Sequence, residues 1–100
     1  MEIVVSPAEL EALANRFKVL AEPTRLQILA AICNQERNVQ DICDRTGLHP
    51  ANASKHLRLM KDAGVVACRR ERSWRYYRVI DTELLALCSH LHSEVKRRSQ

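Results

Sequence analysis

Apolar positions recur at helical spacing through most of this chain. Leu10, Leu13, Ala14, Phe17 and Leu20 fall on one face of a 3.6-residue repeat. Ser6-Pro7-Ala8-Glu9 ahead of them is a capping box with Pro at the first helical position. The pattern predicts a first helix from Pro7 to about Val19. Glu22-Pro23-Thr24 starts a second helix, with Leu26, Ile28, Leu29 and Ile32 mostly buried, and the polar run 34–37 breaks it. Asn38 can cap a short third helix, Val39 to about Arg45, whose Val39, Ile42 and Cys43 point inward. Thr46-Gly47-Leu48-His49 reads as a turn, and Pro50 opens a fourth helix. There Ala53, Leu57 and Met60 mark an inner stripe, while Asn52, Ser54, Lys55, His56, Arg58 and Lys61 cover much of the remaining surface. Gly64 supplies the stop.

Beyond it the period changes. Residues 65–70 and 73–80 are rich in β-branched and aromatic side chains, which predicts a two-stranded hairpin. Asp81 or Thr82 then caps a last helix carrying Leu84, Leu85, Leu87, Cys88, Leu91 and Val95. The predicted order is α-α-α-α-β-β-α, mainly α with a small β-hairpin. One hundred residues make one domain spanning 1–100. With four aromatics, Leu, Ile, Val and Ala must fill the core. A core this small gains from pairing with a second copy. No apolar run approaches the ~18–20 residues of a membrane span, and the N-terminus lacks the regions of a signal peptide, so a cytoplasmic protein is expected.

Charge then singles out one stretch. Nine of the 16 Lys and Arg lie between Arg45 and Arg78, against two acids there, Asp62 and Glu71. That window carries +7 of a chain whose net charge is +4. A local basic surface on a small helical domain is the footprint of a nucleic-acid reader. Two helices joined by a short Gly-containing turn form a helix-turn-helix, whose second helix enters the major groove. Gly47 permits the turn, Leu48 plugs the angle and Cys43 is small enough to let the helices approach. Asn52 can bond adenine, and Lys55 and Arg58 can reach guanine or phosphate. Arg69, Arg70, Arg72 and Arg75 would straddle backbone or minor groove as a wing. The DNA-contacting set expected from this reading is His49, Asn52, Ala53, Ser54, Lys55, His56, Arg58 and Lys61, with those four wing arginines. A solvated helix face is the blander account of such charges, but turn, helix and basic hairpin occur here together and in order. No activated nucleophile, paired carboxylates or phosphate loop suggests catalysis.

From about residue 8 to 95 the chain resembles the ArsR/SmtB family of arsenic- and metal-responsive repressors. The resemblance rests on Leu20-Ala21-Glu22-Pro23-Thr24-Arg25-Leu26-Gln27-Ile28-Leu29, Val39-Gln40-Asp41-Ile42, Ser54-Lys55-His56-Leu57 with Leu59, and Ala63-Gly64-Val65-Val66. The hairpin residues Arg69-Arg70-Glu71 and Trp74-Arg75-Tyr76-Tyr77-Arg78 complete it. It implies a homodimeric winged helix-turn-helix repressor that releases operator DNA when an effector binds. The terminal helices, 7–19 and 82–97, would build the dimer. In the last helix, Leu84, Leu87, Cys88, Leu91 and Val95 make an apolar seam longer than one small core needs. A two-fold dimer would set its recognition helices ~34 Å apart on a near-palindromic operator. Family hairpins usually carry Gly in the tip after Arg-Glu; Arg72-Ser73 here predicts a longer or looser tip.

The resemblance also implies effector sites, and the chain departs from each. The arsenic site needs cysteines where Asn38 and Gln40 stand, leaving Cys43, which reads as a core residue. In the zinc- or cobalt-type site Asp81 matches, but Glu83 replaces a His, and Glu94 and Arg97 stand at the far end. Shifted ligands are conceivable: Cys88 and His92 lie one helical turn apart, as do His90 and Glu94, although such histidines are more often simply solvated. Some relatives pair a second-helix Cys with one in the last helix, which Cys33 and Cys88 resemble loosely. Cys88 could instead meet its symmetry mate, if the Cα atoms come within ~7 Å. Cys68, beside Arg69 and Arg70, is a further candidate thiol. The effector expected is thus a thiol-reactive species or a transition-metal or soft-metal ion, with no cofactor otherwise implied. The alternatives are a ligand-independent DNA-binding regulator and a thiol- or metal-binding protein whose main role is not DNA binding.

Overall fold

The computed structural model describes residues 5–99. Five helices and a small antiparallel sheet follow in the order α1 (Pro7–Leu20), α2 (Pro23–Ile32), β1 (Arg37–Asn38), α3 (Val39–Thr46), α4 (Pro50–Asp62), β2 (Val66–Glu71), β3 (Trp74–Val79) and α5 (Thr82–Arg98). The caps lie where side-chain chemistry requires them. Ser6 and Glu9 close a reciprocal capping box, and Asn38 and Asp81 accept from the third amide of α3 and α5 respectively.

The sheet has one strand more than the sequence suggested. β1, two residues inside the polar break, pairs with β3 (Arg37 opposite Tyr77, Asn38 opposite Tyr76), giving the order β1-β3-β2. No hydrophobic pattern marks it, because it is held by its neighbours. The Arg37 guanidinium donates to the Ala31 carbonyl at 2.7 Å and to Asp41 at 2.8 Å, pinning β1 between α2 and α3.

The hairpin tip corrects the expectation of a longer or looser loop. Glu71 pairs directly with Trp74, so the tip is the two residues Arg72 and Ser73. Arg72 takes the left-handed conformation, φ 57°, that glycine would adopt without strain. The ladder from Val66–Val79 to Glu71–Trp74 holds it there.

One core serves all the layers. Val19, Ile28, Leu29, Ile32, Ile42, Leu57, Met60, Val65, Val66, Tyr77 and Leu84 are buried together, with Leu48 packed against them. The inner stripe of α4 is fully buried, whereas Leu26, expected inside, is 36% exposed. The terminal helices barely enter this core. In α1 the one buried residue is Val19, and in α5 it is Leu84. Leu10, Leu13 and Phe17 on α1, and Leu87, Leu91 and Val95 on α5, stay exposed. Leu84 therefore serves its own protomer's core rather than the outer seam.

Candidate nucleic-acid interface

The turn between α3 and α4 is fixed from inside. Gly47 has φ 76°, a backbone that side chains rarely adopt, and its amide donates to the Cys43 carbonyl at 2.8 Å. The Thr46 hydroxyl donates to the Ile42 carbonyl at 2.7 Å and accepts from the Leu48 amide at 3.3 Å. Leu48 is half-buried against the core, so α4 leaves the turn at a set angle. Its outer face then presents Asn52, Ser54, Lys55, Arg58 and Lys61, all exposed.

Three expected contacts are qualified by this placement. Ala53 is fully buried on the inner stripe, so it offers DNA no side-chain surface; its position in the helical repeat turns it to the core. His49 caps α4, its Nδ1 accepting from the Ala51 amide at 3.2 Å. His56 is half-buried with Nδ1 3.5 Å from Nη1 of Arg25. Arg25 itself donates to the Lys18 and Val19 carbonyls at 2.7 and 3.1 Å. It therefore ties the end of α1 to the recognition helix.

The two faces of the wing differ. Cross-strand partners share a face, so Cys68 with Tyr77 and Arg70 with Arg75 lie on the core side, and Arg69 with Tyr76 and Glu71 with Trp74 on the other. Burial pushes the Tyr77 hydroxyl up, and hydrogen bonding to Cys68 adds to this, while the charges of Arg75 and Arg58 oppose it. α4 and the wing thus each present exposed cations. Among the described residues, Lys55, Arg58, Lys61, Arg70, Arg72 and Arg75 have no carboxylate partner. The outer face holds Arg69, bonded to both Glu36 and Glu71.

The effector candidates divide. A groove of about 800 Å³ between α2 and α5 is lined by Cys33, Cys88 and His92 among apolar walls that include Leu26, Leu29 and Leu91. His90, Glu94 and Cys68 lie outside it, Glu94 bonded to Arg97 and Cys68 half-buried in the wing. Cys43 is in the core, as read, and burial pushes its thiol up, with Asp44 adding to the effect. Among the described residues, no three His, Cys, Asp or Glu side chains converge to hold a metal ion. Within one protomer these residues do not fit such a site.

Asp81, the residue matching the zinc-type motif, is otherwise engaged. Arg16 donates to its two oxygens at 3.0 and 2.8 Å, and the Leu84 amide donates at 3.1 Å. The Arg16 hydrogen bonds, followed by the Leu84 amide, hold the carboxyl below the usual carboxylate range against the pull of desolvation. A lowered folded-state pKa means that the stabilisation is complete above the ordinary carboxylate pKa and disappears as pH falls through the lowered value. Asp81→Asn keeps a capping oxygen and removes the charge. Because Arg16 is partly exposed, about 1 kcal/mol is at stake. Thermal melts should show Tm lower by about 4–8 °C at neutral pH, and the gap should close in acid. An equal gap at both pH values would show that the charge contributes nothing.

Capped helices, a rigid turn and a basic wing define a winged helix-turn-helix, the class of DNA-binding regulators. Sequence comparison gives the family. The profile described as "Bacterial regulatory protein, arsR family" matches residues 22–67. The arsenical resistance operon repressor of Bacillus subtilis (strain 168) is 32% identical over 78 residues, covering 75% of this chain and 72% of that protein. The chain belongs to the arsR family. The HTH-type transcriptional regulator Rv0324 of Mycobacterium tuberculosis is 38% identical over 80 residues, covering 80% of this chain. The match takes in 35% of that longer regulator. A homodimeric winged helix-turn-helix DNA-binding domain from Mycobacterium bovis superposes with a TM-score of 0.82 at 30% identity, covering 100% of this chain and 94% of that one. No helix among the described residues is long and apolar enough to cross a membrane.

Proposed function

We propose that the protein is a homodimeric, sequence-specific repressor that reads a near-palindromic operator and releases it when a thiol-directed effector reaches the α2–α5 groove. The observation that carries the DNA-binding part is the exposed polar face of α4, set by the Gly47 turn, together with a wing whose Arg70, Arg72 and Arg75 have no carboxylate partner among the described residues. His49, Asn52, Ser54, Lys55, Arg58 and Lys61 then face the major groove, and Arg70, Arg72 and Arg75 the flanking backbone or minor groove. The two uncovered apolar helices favour a second copy as partner, in keeping with the homodimeric relative. Repression needs no chemistry, since the bound dimer occludes polymerase, and the site offers none. A cytoplasmic location follows from a genomic target.

Titrating the protein against a duplex from its own promoter, at stated salt, should give binding at least about 10³-fold tighter than to competitor DNA. Equal affinity for both would sink the reading. For the effector, the presence of Cys33 and Cys88 in one groove favours thiol chemistry over a resident metal. Peroxide or polysulfide should release operator from the wild-type protein and not from Cys88→Ser or Cys33→Ser; zinc, cadmium and arsenite complete the titration. Release that survives both substitutions would place sensing elsewhere. No release by any agent would leave a ligand-independent regulator.

A further inference from the structure

The outer face of the wing carries a cluster that DNA contact does not explain. Arg69, on β2, lies opposite Tyr76 of β3 with its guanidinium 4.6 Å from the ring centroid. It crosses β3 to reach Glu36, which precedes β1. Nη2 donates to Glu36 Oε1 at 2.7 Å and Nε donates to both Glu36 oxygens at 3.1 and 3.2 Å. Its Nη1 donates to Glu71. One guanidinium thus joins the outermost strand β2 to the loop on the far side of the sheet, stacked on the strand between them. Planar, forked donors suit this use, in which bidentate pairing and ring stacking occur together. Two carboxylates engage the Arg69 guanidinium, so its donors are already taken up, and with Arg78 on the same face the cluster is close to neutral rather than a free cation for a phosphate. Glu36 is held below the usual carboxylate range, chiefly by its Arg69 hydrogen bonds. On the opposite face, Arg70 and Arg75 have no such anions.

We propose that Arg69 is a positioning residue that clips the wing to the Glu36 loop and fixes its angle to α4, leaving Arg70, Arg72 and Arg75 to meet DNA. The two strands extend beyond the core, their far halves exposed, so little else holds the hairpin's angle. β1 contributes two residues of pairing and is itself anchored to α2 and α3 through Arg37. The clip therefore connects the wing to the helix-turn-helix body. The inference rests on the DNA-binding reading for its functional consequence, but not for its structural one.

The two are tested separately. Trp74, the chain's sole tryptophan, sits in the wing beside the tip. In free protein, Arg69→Ala and Glu36→Ala should both lower Trp74 fluorescence anisotropy while far-ultraviolet circular dichroism stays unchanged. Unchanged anisotropy in both variants would overturn the clip, whatever the protein does to DNA. Operator titrations across salt concentrations then test its role. Each of Arg70→Ala and Arg75→Ala should flatten the log-log salt slope by about one per protomer, about two for the dimer on its operator, through the loss of one phosphate contact in each half. Arg69→Ala should leave the slope unchanged and weaken specific binding by roughly three- to tenfold. Glu36→Ala, which removes an anion, should weaken binding similarly, and the double variant should be no worse than either single one. If Arg69 instead touches phosphate, Arg69→Ala flattens the slope and Glu36→Ala tightens binding, and the proposal fails. A wild-type protein with no operator preference would remove the DNA-binding reading while leaving the tryptophan result to judge the clip.

Discussion

Lys55→Ala combined with Arg58→Ala is expected to abolish specific operator binding while leaving the fold and the oligomeric state unchanged. Both side chains are exposed on the outer face of α4, opposite the buried stripe of Ala53, Leu57 and Met60, so neither contributes to the core. A well-placed contact from such a residue to a base is worth about 1–3 kcal/mol of discrimination. Two lost together correspond to roughly 30- to 10⁴-fold in affinity in each half-site. The salt slope should fall by up to about two per protomer, because any phosphate contact made by these cations disappears with them. Fluorescence anisotropy with a labelled operator measures both quantities, and circular dichroism with sedimentation checks fold and assembly. Retained affinity with an unchanged slope would mean that α4 is not the reading helix. The substitution differs in kind from Arg69→Ala, which should change affinity without changing the slope.

What could be read from the sequence was local, and what could not was long-range. The capping box at Ser6, Asn38 before α3, Pro50 opening α4 and Asp81 before α5 each signal over three or four residues, and each proved to be a helix start. The inner stripe of α4 follows from 3.6-residue periodicity alone. β1 was invisible, because a two-residue strand has no period and depends on β3 forty residues later. The tight tip was misjudged for a related reason: the ladder on either side outweighs the local preference against positive φ at Arg72. The same limit governs the candidate site. The basic stretch was legible as charge, but not the separation of the wing's cations into two faces. Glu36 lies 33 residues from Arg69, Arg16 lies 65 from Asp81, and Arg25 lies 31 from His56. No spacing rule connects such pairs. Helical spacing pairs Cys88 with His92 and the family resemblance pairs Cys33 loosely with Cys88; that all three line one groove is a property of how α5 lies along α2.

Leu91→Glu is expected to convert the protein to a monomer and, through that, to remove most of its operator affinity. Leu91 is 49% exposed on α5, between Leu87 and Val95, on a helix whose contribution to the protomer's own core is Leu84. Leu10, Leu13 and Phe17 leave a matching uncovered face on α1. Exposed apolar stripes on two helices of so small a protein mark an interaction site. In a two-fold interface each substitution occurs twice. Losing two buried leucines removes about 3–6 kcal/mol, before the cost of placing carboxylates in an apolar contact. Dimer dissociation should therefore strengthen by at least roughly 10²-fold, into a range that analytical ultracentrifugation resolves. Operator binding falls with it because each half-site then binds alone, and the linked second contact is worth about 10²- to 10⁴-fold. The monomer itself should melt cooperatively, since the substituted side chain already faces solvent in the isolated protomer. Leu59→Glu, on an exposed leucine of α4 outside both terminal helices, is the control and should leave the dimer intact. A Leu91→Glu protein that remains dimeric would move the interface off α5.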